Sequence, residues 1–250
     1  MKARKILTVV FLTVALVATS LVSGCKEDNS ALSEGDLKSS EIKNNTEASS
    51  DCSCIINPSD EITPEEEETL IHMREEEKLA RDVYTTLYGQ YSLRVFNNIS
   101  KSEQRHMDRV LCLLEYYNIE DPSSEEIGVF TNTDLQELYN NLVEQGSESL
   151  VEALIVGATI EDLDIFDLNQ AIEMTENEAI ITIFGHLKCS SENHMRAFSN
   201  LLANNNVDYT PQFISQEEYD EILSGLNGPC GNGNGNGNGN GNGNCGRSGN

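Results

Sequence analysis

Between Phe96 and Tyr117, steps of three and four residues align Phe96, Ile99, Glu103, His106, Val110, Leu113 and Tyr117 on one helix face. That face is the apolar stripe a helix turns toward a core, interrupted by a carboxylate and an imidazole. Residues three apart are neighbours on a helix, so Glu103 and His106 aim at one inner spot. A buried charge is costly unless it is paired, hydrogen-bonded or bound to a metal. The stretch therefore demands a bundle whose other helices bring matching groups to the same depth.

Other helices of suitable length are present. Thr63 and Glu66 form a capping box around Pro64, predicting a helix over 64–88 that ends near Gly89. Its inward stripe is Leu70, Met73, Glu77, Ala80, Tyr84 and Leu87. The opening stretch is the second long helix, 94–117, and Asp121-Pro122 closes the connection after it. A shorter helix spans Thr133 to Gln145, capped by Asn132 and stopped by Gly146. The third long helix starts near Ser147 with the stripe Leu150, Leu154, Gly157, Glu161, Asp164, Leu168, followed by a break or short helix over 165–175. The fourth, 176–204, presents Ile180, Phe184, Leu187, Ser191, His194, Phe198 and Leu201. A capping box at Ser215-Gln216-Glu217-Glu218 opens a short helix ending near Gly225. No alternating strand pattern interrupts this series, so the expected fold is all-α: a four-helix bundle over 61–225 with extra short helices and disordered termini.

Each long helix thus places a metal-capable group on its inner stripe: Glu77; Glu103 with His106; Glu161 with Asp164; and His194. Carboxylates from two helices plus Glu-x-x-His pairs from the others are the ligand pattern of dinuclear iron and manganese bundles. Carboxylates bridge two cations and cancel their charge, and imidazole adds a firmer nitrogen ligand. Such oxygen-rich sites suit iron or manganese. A lone Glu-x-x-His is weak evidence, and a lone core histidine is more often hydrogen-bonded than ligating. The coincidence across four helices carries the argument. His72 and His186 fall beside their stripes and are expected to face solvent. Glu75 and Glu76 are expected on an acidic outer face, and Arg81 either pairs with an acid or faces water.

The segments Met73–Tyr84 (Met-Arg-Glu-Glu-Glu-Lys-Leu-Ala-Arg-Asp-Val-Tyr) and Ser102–Met107 (Ser-Glu-Gln-Arg-His-Met) resemble the first half of ferritin-like, rubrerythrin-type bundles. In those bundles a ligating Glu is followed seven residues later by a Tyr close to the metals. With Ile160–Ile165, Asn193–Phe198 and Tyr209–Gln212, residues 66–223 resemble more closely a ferritin-like domain family of exported prokaryotic proteins. The resemblance implies Glu77 as a terminal or bridging ligand and Tyr84 as a hydrogen-bonding or redox (catalytic) residue. It further implies a bridging Glu103, His106 on one metal, Glu161 from the third helix and His194 on the second metal. One departure stands out: the carboxylate usual three residues before the last histidine is Ser191 here, and Glu192 lies about 100° around the helix. Either Asp164 replaces it, or the second metal is weak or absent.

The ends of the chain differ in kind. Met1-Lys2-Ala3-Arg4-Lys5, an apolar run from Ile6 to Val22, and Val22-Ser23-Gly24-Cys25 resemble a bacterial lipoprotein signal (1–24), implying cleavage before a lipidated Cys25. An uncleaved transmembrane anchor is the alternative. Residues 25–60 have the composition of a disordered tether, and 226–250 hold a Gly-Asn repeat flanked by Cys230 and Cys245, the easiest disulfide to propose. Loss of the signal leaves 13 basic against 42 acidic side chains, a net charge of −29, which argues against nucleic acid as a partner. The expected protein is exported, lipid-anchored to the cell envelope and partnered by metal ions, with a dimer left open. Oxidation of metal(II), metal retention without turnover, and a purely structural interaction module are the three competing functions.

Overall fold

The computed structural model describes residues 61–225 and contains six helices there, with no strand among the described residues. The expected signal, Cys25, the tether, the Gly-Asn tail and the Cys230–Cys245 pair lie outside them. Four long helices form the bundle: α1 (Pro64–Tyr91), α2 (Arg94–Tyr117), α4 (Leu150–Met174) and α5 (Glu178–Asn204). Two short ones join it, α3 (Thr133–Glu148) against α1 and α4, and α6 (Gln216–Ser224) against α5. No described helix is long and apolar enough to cross a membrane.

The core is two apolar clusters, and the order in which each helix visits them gives the topology. Leu70 and Met73 of α1 join Val110 and Leu113 of α2, Leu168 of α4 and Phe184 and Leu187 of α5 in one cluster. Val83 and Leu87 of α1 join Phe96 and Ile99, Leu154 and Phe198 in the other. Thus α1 and α5 run one way, α2 and α4 the other. Because α2 and α4 are parallel, residues 118–149 must return along the whole bundle, and α3 lies on that route. A four-helix bundle with one such crossover has the ferritin-like topology.

The crossover is fastened by charges of α1. Arg74 donates twice to Asp121, at 3.0 and 2.8 Å. Glu75 accepts from the backbone N–H and hydroxyl of Thr131, both at 2.7 Å. Lys78, fully buried, donates to Asp82 at 2.5 Å and to the Glu126 carbonyl at 2.9 Å, and lies 4.2 Å from the Phe130 ring centre. Asp82 also accepts from Gly128 N–H at 2.9 Å. Glu75 and Glu76 are therefore buried rather than on an outer acidic face: the crossover meets Glu75, and Glu76 meets Asp167 of α4. Arg81 takes the internal option, donating to Asp82 and Gln104.

Helix boundaries depart from expectation where glycine is not the deciding residue. The capping box at Thr63 and Glu66 forms as read. Helix α1, however, runs through Gly89 and stops at Ser92, which takes the left-handed conformation at φ 52°. A single helical glycine costs only about 1 kcal/mol relative to alanine. Gly146 stays inside α3 because an added Cβ there would meet Leu87 at 2.8 Å. The break or separate short helix expected over 165–175 is absent: α4 is continuous to Met174, with no proline or glycine beyond Gly157 to interrupt it.

Asp162, with no exposed surface, fastens the segment after α5. It accepts from Tyr209 Oη at 2.8 Å and from the backbone N–H groups of Gln212, Phe213 and Ile214 at 2.5, 3.2 and 2.9 Å. Asp162→Ala would leave those donors unpaired and is expected to destabilise the fold by about 3 kcal/mol. Chemical denaturation checks this, and a loss below about 0.5 kcal/mol would show that the segment holds without it.

Candidate metal centre

A polar layer separates the two apolar clusters, and all four long helices feed it. Glu77 comes from α1, Glu103 and His106 from α2, Glu161 and Asp164 from α4, Ser191 and His194 from α5, none more than 8 % exposed. The continuous α4 matters, since Glu161 and Asp164 are one turn apart on its inner face. Ligand-capable atoms of Glu77, Glu103 and His106 lie within 4.8 Å of one another, and so do those of Glu103, Glu161 and His194. Glu103 is common to both groups.

The carboxylate of Glu103 faces an imidazole with each oxygen. Its Oε2 lies 2.7 Å from His106 Nδ1 and its Oε1 lies 2.9 Å from His194 Nδ1. His106 Nδ1 is also 3.1 Å from Glu77 Oε2, and His194 Nδ1 is 3.3 Å from Glu161 Oε2. The two rings are nearly parallel, 5.7 Å between centres. The far nitrogen of His194, Nε2, lies 3.3 Å from Ser190 Oγ, a contact that orients the ring with Nδ1 inward. Tyr84 donates to Glu161 Oε1 at 2.5 Å and its ring packs on Phe198, 5.4 Å between centres. Gly157 makes room for that packing, since a Cβ there would come within 2.4 Å of the Phe198 ring.

A metal fits this donor set. Glu77 Oε1, Glu103 Oε1, Asp164 Oδ1 and His194 Nδ1 are buried without a hydrogen-bond partner. Glu103 Oε1 and His194 Nδ1 are close enough to bond but misaligned for it. Buried polar atoms are almost always satisfied, and a group of orphans facing one another has the form of ligands awaiting a cation. Asp164 borders the cluster without joining either close group. Burial and the charges of Glu77 and Glu161 raise the Asp164 carboxyl well above the usual range. Glu192 lies away from the layer, beside Lys188, Arg196 and Glu218.

The sequence reading missed a third group. His72, Glu76 and Asp167 also bring ligand-capable atoms within 4.8 Å of one another. His72 is partly covered rather than solvent-facing, with 21 % of its side chain exposed, while His186 is exposed as expected. The available signal was the four-residue spacing of His72 and Glu76, together with Asp167 one turn beyond Asp164. Placing a break after residue 164 hid it. Cys112 and Cys189 are both disulfide-bonded.

Residues 66–226 match a domain family described as an uncharacterized protein domain, DUF2202. The chain belongs to that family. It is 57 % identical over 168 residues to the uncharacterized protein MJ0754 of Methanocaldococcus jannaschii, covering 67 % of this chain and 91 % of that one. The crystal structure of hypothetical protein MJ0754 from Methanococcus jannaschii superposes with a TM-score of 0.66, covering 67 % of this chain and 96 % of that one. The family shares the helical domain and leaves its chemistry to be argued from the site.

Protonation of the metal-free layer follows from burial and mutual charge. Burial pushes Glu77 up to about 7, against the pull of His106. Burial alone would lower His194, but the carboxylates of Glu103 and Glu161 raise it to about 10. Burial would raise Glu103, and the two imidazoles more than reverse that, holding it well below the usual range. Relative to an unfolded value of 4.5, Glu77 contributes stability that is lost as pH rises through about 7. His194, from 6.5, contributes stability that is lost as pH rises through about 10. The metal-free chain is therefore expected to lose stability between pH 6 and 9, while its affinity for added Mn(II), which must displace these protons, increases. Melting curves at several pH values check this, and a Tm that climbs over that range without metal would contradict it.

Proposed function

We propose that this is a metal-binding ferritin-like protein whose polar layer holds a dinuclear iron or manganese centre. The observation carrying the reading is Glu103, which sets one oxygen against each of two imidazoles on different helices. Glu77 and His106 would hold one ion, and Glu161 and His194 the other, with Glu103 between them and Asp164 supplying the carboxylate absent at Ser191. Glu77, Glu103, Glu161 and Asp164 together carry the charge that balances two divalent cations. Oxygen-rich ligands with one imidazole per ion favour iron or manganese. When bound, such a pair supplies oxidation of metal(II) to metal(III) by dioxygen or peroxide. Tyr84 fixes Glu161 by its hydroxyl and is the residue we assign to support that redox step, through a proton held at Oη. Burial, with the charges of Glu161 and Glu103, raises its pKa well above the usual phenol value, so the hydroxyl stays protonated. We also propose that Cys25 carries the lipid that tethers the domain to the envelope.

The enclosure of the layer favours one further reading, retention of metal without turnover. Anaerobic titration of the full chain with Fe(II) or Mn(II) separates the possibilities. Glu103→Ala is expected to lower bound metal by about two equivalents, and His106→Ala by about one. Unchanged metal content in Glu103→Ala would defeat the dinuclear assignment. If Fe(II) is held but admitting oxygen oxidises it no faster than in the Glu103→Ala control, the protein is a metal store and not an oxidase.

A further inference from the structure

Alongside the layer, the His72, Glu76 and Asp167 cluster has features that its role in the fold does not explain. Glu76 is 5 % exposed, and its Oε2, 3.6 Å from His72 Nε2, has no hydrogen-bond partner. Its carboxyl also meets that of Asp167, so two acids and an imidazole converge on one point. The neighbouring buried acids of α1 show what a structural role looks like here: Glu75 accepts from Thr131 of the crossover, and Asp82 accepts from Lys78 and Arg81 of its own helix and from Gly128 of the crossover. Glu76 receives none from that segment. His72 and Asp167 are only partly buried, so the cluster opens to solvent, while Glu76 also borders a cleft that reaches Asp164 between α1, α3 and α4.

We propose that His72, Glu76 and Asp167 form a third metal site, separate from the dinuclear centre, that binds one divalent first-row transition ion. Two carboxylates and an imidazole supply a mixed oxygen and nitrogen set that suits Mn(II), Fe(II), Co(II) or Zn(II) and disfavours soft, thiolate-seeking ions. An ion there satisfies the orphaned Glu76 oxygen and relieves the repulsion between Glu76 and Asp167. Solvent completes the coordination on the open side, as expected of a site that exchanges its ion more readily than an enclosed one. The site shares no residue with Glu103 and stands whether or not the inner centre is occupied.

Titration of the full chain with Co(II), followed optically and by metal analysis, tests the assignment through two variants. Glu103→Ala removes the inner carboxylate and is expected to keep about one equivalent. The double variant His72→Ala with Asp167→Asn changes only partly exposed positions, so its fold is spared. It is expected to lose that equivalent, with at least about a tenfold drop in affinity, while keeping the ions that depend on Glu103. Anomalous scattering from Mn(II)-soaked crystals should place an ion between His72, Glu76 and Asp167. A Glu103→Ala protein that binds no ion, or a double variant with wild-type stoichiometry and affinity, overturns the third site. The double variant thus reports on the third site and the equivalents lost in Glu103→Ala report on the dinuclear centre, so failure of one reading is distinguishable from failure of the other.

Discussion

Glu103 is a carboxylate with almost no exposed surface at the centre of the bundle, and the surrounding structure is arranged around keeping it charged. Removing such a group from water costs several kcal/mol, so its neighbours must return that energy. His106 and His194 do so from two helices, and Glu77 and Glu161 in turn address those imidazoles. The arrangement interrupts the hydrophobic core, which closes as separate apolar clusters above and below. Each long helix must therefore be in register with the others to within about a turn. A slip in one would set a leucine against the carboxylates and bury a charge in the aliphatic cluster.

Buried acids in this protein fall into two physical kinds. Glu75, Asp82 and Asp162 are ringed by donors, and each fastens a connection: the crossover for the first two, the segment after α5 for the last. Glu76, Glu77, Glu103, Asp164 and Glu192 each keep an oxygen without a hydrogen-bond partner. Burial is common to both kinds, so burial alone does not mark a site. Nor does a single unmatched oxygen, since Glu192 carries one away from the layer; what marks the site is several such groups converging with imidazoles on one point. The same distinction links fold to site. Arg74, Glu75, Lys78 and Asp82 hold the crossover down, and the crossover delivers α4 parallel to α2, with Glu161 and Asp164 at the depth of Glu103.

The sequence showed the inward stripes well, because period-three-and-four patterning reports burial wherever one helix face is apolar. It located Glu77, Tyr84, Glu103, His106, Glu161 and His194 on faces that the fold does bring together. It failed along α1 at Glu75 and Glu76, which with Arg74 and Lys78 are charged yet buried. Periodicity assumes that charge means solvent, and here Arg74, Glu75 and Lys78 instead meet a crossover whose path no local pattern encodes. Gly89 and Gly146 misled for a related reason, since a glycine can mark a close approach, as Gly146 does to Leu87, as well as a helix end. The postulated break near residue 165 had a further cost, cutting Asp167 off from the turn that aligns it with Asp164 and Glu76.

Ser191 shows how the layer can differ from related bundles without losing its charge balance. The position faces inward and is completely buried, so a glutamate there would enter the layer directly. In this chain its hydroxyl donates to the Leu187 carbonyl at 3.1 Å. The carboxylate has in effect moved from α5 to α4, with a shorter side chain reaching from a neighbouring helix. Asp164 then stands back from both close groups, toward Glu76 and the cleft. That position sets an acid between the inner layer and the His72, Glu76 and Asp167 cluster. The layer is not symmetric about Glu103: Glu77 with His106 closes one side, Glu161 with His194 the other, and Asp164 stands outside both close groups.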